Sequence, residues 1–116
     1  MEDSILITIR NMIVGFTDSD TTFDSSLIIF INSALSVLTQ LGVGPEEGFS
    51  IADETATWSD LLTNSQPGRL EMVKEYVFLR VKMMFDAPTV GGVINAYKER
   101  IDELTWRLNV AVDPER

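Results

Sequence analysis

Residues Glu75 to Asn109 read EYVFLRVKMMFDAPTVGGVINAYKERIDELTWRLN, and their pattern decides the fold. Leu70, Val73, Val77, Val81 and Met84 recur at helical spacing, and Met72, Tyr76, Leu79 and Met83 form a second apolar stripe on the same segment. A helix that is apolar on nearly every side has to be enclosed by others, so the segment from about Pro67 to Phe85 is predicted to be central. Pro88 has no N–H to continue a helix and restricts the residue before it, so Asp86-Ala87-Pro88 breaks the chain direction. Beyond it, Val93, Tyr97, Ile101, Leu104 and Leu108 fall on one face of a further helix from about Thr89 to Asn109.

Two more helices precede this pair. The first is expected from Ser4, a suitable N-cap, through Ile5, Ile9 and Met12 to Gly15, a suitable residue to end it. An Asp/Ser/Thr-rich loop, Phe16–Thr22, is expected to be flexible. Asp24 is then expected to cap a second helix, with Phe23 stapling back onto it. Leu27, Ile31, Ala34, Leu38 and Leu41 share a face of that helix, and Gly42 ends it. After Gly44-Pro45, the β-favouring residues Phe49, Ile51, Thr55, Thr57 and Trp58 predict a short hairpin over Gly48–Trp58. A single helical turn is expected at Ser59–Leu62. Asn64–Gly68 reads as a turn, within which Pro67 suits the first position of the third long helix. The expected fold is thus mainly α: a four-helix domain with a central third helix and a small β-hairpin between helices 2 and 3. Residues 1–116 form one domain, and Val110–Arg116, which holds Pro114 and loses periodicity, is expected to be a mobile tail.

Composition narrows the chemistry. The chain has no cysteine and no histidine, which removes disulfides, thiolate nucleophiles and the usual general base and transition-metal ligand. No enzymatic activity, cofactor or transition-metal site is therefore expected, whereas carboxylate-bound calcium or magnesium stays open. Acidic pairs such as Glu46-Glu47 and Asp53-Glu54 sit in surface-like contexts, where solvation keeps carboxylates ordinary. Asp18-Ser19-Asp20 with Asp24 lacks the glycine and terminal glutamate of a calcium loop. Hydrophobic residues at 45% and charged residues at 23% argue against global disorder. No apolar run is long enough to cross a bilayer, and the Met-Glu-Asp start is acidic where a secretion signal would be basic, so no membrane association is expected. Charge is divided unevenly: residues 1–66 hold ten acids against Arg10 alone, whereas residues 67–116 are balanced. An acidic half repels phosphate, so sequence-specific nucleic-acid binding is disfavoured.

Two features point to contacts with other proteins. The second helix carries no charge from Ser25 through Leu41, and its outer side holds Ser26, Ile29, Asn32, Ser33, Ser36, Thr39 and Gln40. A solvent-facing helix is normally dressed with Lys and Glu, whereas charge depletion marks interface cores. These residues are candidates for a subunit contact; a helix enclosed in its own domain is the alternative. Trp106 lies opposite the Val93–Leu108 stripe on its helix. Either the first helix or the hairpin covers it, or it anchors a partner. Phe49, Ile51 and Trp58 in the expected hairpin, and Val110 and Val112 near the C-terminus, are the other partner-contact candidates.

The chain resembles the small head–tail connector (adaptor) proteins of tailed bacteriophages. The resemblance is carried by Arg80-Val81-Lys82 and Phe85-Asp86-Ala87-Pro88, then by Glu103-Leu104-Thr105-Trp106-Arg107-Leu108-Asn109. A second patch is Phe23-Asp24, Leu27-Ile28 and Ile31-Asn32, running into Gln40-Leu41-Gly42-Val43-Gly44. The resemblance implies a non-enzymatic virion protein, assembled in the bacterial host cytoplasm. Its copies would close into a ring, dodecameric in the virion, between the portal protein and the tail, and DNA would pass through the channel without specific binding. It also implies that Val110–Arg116 engages the portal and Gly44–Trp58 the tail-completion (stopper) protein. The alternative from another class is a small acidic regulatory protein or DNA mimic that binds a host or phage protein; an ordered double row of acids would mark it.

Overall fold

A computed structural model of the chain describes residues 4–14, 23–62, 67–85 and 87–111. Five helices follow in order: α1 (Ile5–Val14), α2 (Asp24–Gln40), α3 (Trp58–Leu61), α4 (Pro67–Phe85) and α5 (Gly91–Ala111). The four long ones correspond to the expected helices, and α3 is the single turn. Gly15, the Phe16–Thr22 segment with Asp18-Ser19-Asp20, the Asn64–Gln66 part of the expected turn, Asp86 and the Val112–Arg116 part of the expected tail lie outside the described residues. Val110 and Ala111 are helical, so α5 runs into the segment expected to be tail.

The central position of α4 follows from its sequence. It packs against α2, α5 and α1, and Val73, Tyr76, Val77, Leu79 and Val81 are buried on it. Its enclosure is incomplete: Met84, expected on a buried stripe, is 38% exposed. The molecule measures 43 × 35 × 22 Å, and the short axis is about two helix diameters of 10–12 Å. In so thin a body each helix keeps one side near solvent. On α5, Leu104 and Leu108 are buried and Tyr97 and Ile101 pack against the core, but Val93 is 41% exposed. α5 packs mainly on α4, and its first turns extend past the core.

The helix ends differ in how they are made. Ser4 caps α1 as expected, its hydroxyl accepting the Ile7 N–H at 3.2 Å. At α2 the expectation is corrected. Asp24 is the first helical residue, not the cap, and Phe23 at the cap position makes no side-chain cap bond. The Asp24 carboxylate instead accepts from the buried Arg10 guanidinium at 2.8 and 3.0 Å, joining α1 to α2. The Phe23 ring meets Phe85 edge-on with centroids 5.3 Å apart, so it staples onto the end of α4. The α2 C-terminus closes as a Schellman motif. Gly42 takes φ 89°, its N–H reaches the Thr39 carbonyl at 3.0 Å, and the Val43 N–H reaches Leu38 at 2.9 Å. Gly44, at φ 88°, lies where an added Cβ would stand 2.9 Å from Leu61 Cδ1, so glycine there lets the loop pass close to α3.

The expected hairpin over Gly48–Trp58 is absent: the described residues contain no strand, only an isolated antiparallel bridge between Ser4 and Thr57. Its hydrogen bonds go elsewhere. The Asn32 side chain on α2 takes both backbone groups of Ile51, and the Ile5 N–H donates to the Ala56 carbonyl at 3.1 Å. Asp53 folds back on Thr55, accepting its N–H at 2.9 Å. Thr57 caps α3 in a reciprocal capping box with Asp60. With α1 and α2 satisfying the segment, no second strand is needed to pair it.

Candidate interaction surfaces

The outer side of α2 is exposed. Ser26, Ile29, Ser33, Ser36 and Gln40 stand clear of the core, and Ile29 is 65% exposed. Their spacing alternates three and four residues, the repeat that keeps a seam on one side of a helix for its whole length. Asn32 and Thr39, grouped with them from sequence, are only half-exposed and already engaged. The Asn32 amide donates to the Ile51 carbonyl at 3.0 Å while its oxygen accepts the Ile51 N–H at 2.7 Å. The Thr39 hydroxyl donates to the Leu35 carbonyl at 3.1 Å. Beside the seam runs an open groove of about 500 Å³, lined by Asn32, Ser36, Thr39, Gln40, Glu47 and Phe49 among others. Half-buried Phe49 packs against the core from this side and so lies between core and groove.

Trp58 and Ile51 do not reach a surface that a partner could touch. Trp58 is 0% exposed, its indole N–H donates to the Thr8 hydroxyl at 3.2 Å, and the Lys74 ammonium stands 5.9 Å from the ring centroid. Ile51 is drawn into the core by the Asn32 clamp. Both belong to the chain's own packing and are withdrawn as partner contacts. Trp106 is the reverse case, 67% exposed and covered by neither α1 nor the 48–58 segment. Val110 lies on the last turn of α5, and Val112 is outside the described residues.

The electrostatic features are structural ones. Glu75 on α4 accepts from Arg100 on α5 at 2.7 and 2.8 Å, and Arg100 also reaches Glu103 at 3.0 Å. The Arg100 hydrogen bonds hold the Glu75 carboxyl below the usual glutamate range, and the same contacts raise the guanidinium further. Burial pushes the Tyr76 phenol up, against the pull of the Arg80 guanidinium 5.7 Å from its ring. The Thr55 hydroxyl and N–H lower Asp53. No group of three acidic, histidine or cysteine side chains among the described residues is placed to hold a metal ion. Sequence reasoning missed the Arg10–Asp24 pair. The available signal was that Arg10 is the one base among the first 66 residues, on an otherwise uncharged helix.

The model of the phage connector protein family matches residues 5–115. The chain belongs to the phage connector protein family. No curated protein and no solved structure matches it. As a connector, the chain is a structural component of a virion and associates with other virion proteins. No helix among the described residues of this connector is long and apolar enough to cross a membrane.

Proposed function

We propose that this connector is a head–tail adaptor whose copies close into a ring between portal and tail and extend the DNA channel. The observation that carries the reading is the uncharged seam of α2. The chain has a formal net charge of −9, so two copies repel unless they meet on a surface free of carboxylates. The Ser26–Ile29–Ser33–Ser36–Gln40 seam is such a surface along α2 beyond its first residue, Asp24, and the groove beside it adds Phe49 but also the Glu47 carboxylate. Ring closure needs a heterologous contact, in which this seam meets a different patch on the next copy. Twelve copies, the portal protein on one side and the tail-completion protein on the other follow the family resemblance. The exposed acids Glu46, Glu47, Asp53 and Glu54 fit a channel or loop surface that repels DNA, which then passes without specific binding.

Size-exclusion chromatography with light scattering, followed by grid microscopy of any large species, tests the reading. A closed oligomer, alone or on addition of the portal protein, is the expected result. Monomers at every concentration together with no binding to a portal ring would overturn it.

A further inference from the structure

On α5, Trp106 belongs to a second stripe, distinct in chemistry from the seam of α2. Asp102 lies one turn before it and Glu99 a further turn back, and all three side chains are exposed. Glu103, also one turn before Trp106, is occupied, bonded to Arg100 and Arg107 at 3.0 Å each. Among the described residues neither Glu99 nor Asp102 makes an ion pair. An indole 67% exposed shares its helix face with two carboxylates that make no ion pair and outnumber the neighbouring exposed Lys98, a set complementary to a cation. Tryptophan is the best ring for holding a guanidinium or ammonium over its face, and the carboxylates supply the counter-charge.

We propose that the Glu99–Asp102–Trp106 stripe is the docking site for an arginine- or lysine-bearing segment of another protein. The proposal rests on the connector reading only in supposing that a protein partner exists at this end. Charge selects the occupant. Nucleic acid and anionic lipid are repelled by the two carboxylates, and a second copy of this chain brings a further nine negative charges towards them. A cationic segment is attracted over distance and then held at short range by the ring, the arrangement that gives both encounter rate and specificity.

The test uses an oligoarginine peptide as probe and titration calorimetry at physiological salt. The parent protein is expected to bind it. Both Trp106→Ala and the double variant Glu99→Gln/Asp102→Asn should weaken binding by about fivefold, and Glu46→Gln/Glu47→Gln, which removes the same charge elsewhere, by less than about twofold. No binding to the parent, unchanged binding by Trp106→Ala, or equal losses from the two acid-pair variants would each overturn the proposal. Light scattering on Trp106→Ala separates this stripe from the ring contact. Assembly is expected to persist; its loss would put Trp106 in the subunit contact and remove the proposal, leaving the ring reading in place. If the parent forms no ring under any condition, the ring reading falls while the peptide titration still decides this one.

Discussion

Asn32 and Trp58 show how much a single side chain's role depends on what folds over it. Asn32 supplies a donor and an acceptor to the Ile51 backbone at 3.0 and 2.7 Å, doing from a helix what a neighbouring strand would otherwise do. Its sequence position, one residue before Ser33 on the uncharged side of α2, gives no sign of this. Asparagine, serine and threonine are alike in a pattern of polar positions, and the partner backbone arrives from a distant loop. Replacing Asn32 with alanine should cost about 1–3 kcal/mol, because the Ile51 N–H is left buried and unpaired. Urea denaturation would read this as a lower midpoint with an unchanged slope. Ser33→Ala, on the exposed seam, should stay within about 0.5 kcal/mol of the parent. Equal effects from the two substitutions would mean that the clamp contributes nothing.

At the scale of the element, α5 carries two testable features. Gly91 and Gly92 open it in helical conformation, and an added Cβ at either position meets nothing within 4 Å. The open space shows that the pair makes a weak first turn and serves no close approach. Gly92→Ala should therefore stabilise the protein by about 0.5–1 kcal/mol through the entropy of the unfolded chain. A lower thermal midpoint would show that glycine is needed there for a contact. The second feature is the Glu75–Arg100 pair, which ties α5 to α4. Because the Glu75 carboxyl is held lower in the folded state than its ordinary value of 4.5, its contribution is present above that pH. It is lost as pH falls through the lowered value. Both side chains are more than a third exposed, so the effect is small, less than about 1 kcal/mol. The stability gap between parent and Glu75→Gln should be measurable near neutral pH and narrower once the pH lies well below the ordinary glutamate range. A gap of equal size at both would assign the residue's contribution to packing.

For the whole molecule the governing quantity is charge. The ten acids of the first 66 residues leave few surfaces on which identical copies can meet, and the seam of α2 is the longest one described. Ser33→Lys/Ser36→Lys places two cations on it at exposed positions, where helical lysine is close to neutral for stability. The monomer should keep its helix content by circular dichroism. Where the seam meets a neighbour, the buried unpaired charges should cost several kcal/mol, on the order of 3–5, at every interface of a ring. Light scattering should then show folded monomers only. Intact rings from this variant would place the subunit contact elsewhere on the surface.

The sequence by itself determined the helices and which of them is enclosed. Periodicity is a local property, and the apolar stripes of α2 and α4 state which side each helix hides whatever packs there. Val77 and Val81 at 0% exposure and Gly42 at the end of α2 were legible for that reason. The absence of histidine and cysteine likewise limited the chemistry before any fold was known. Only the tertiary structure decided where the irregular segment between α2 and α4 finds its hydrogen bonds. β-favouring residues there paired not with each other but with Asn32 and the start of α1. It also separated the two tryptophans, alike in composition, into a buried one bonded to Thr8 and an exposed one on α5. Both outcomes depend on contacts between residues far apart in the chain, and a spacing pattern carries no information about which distant group will arrive.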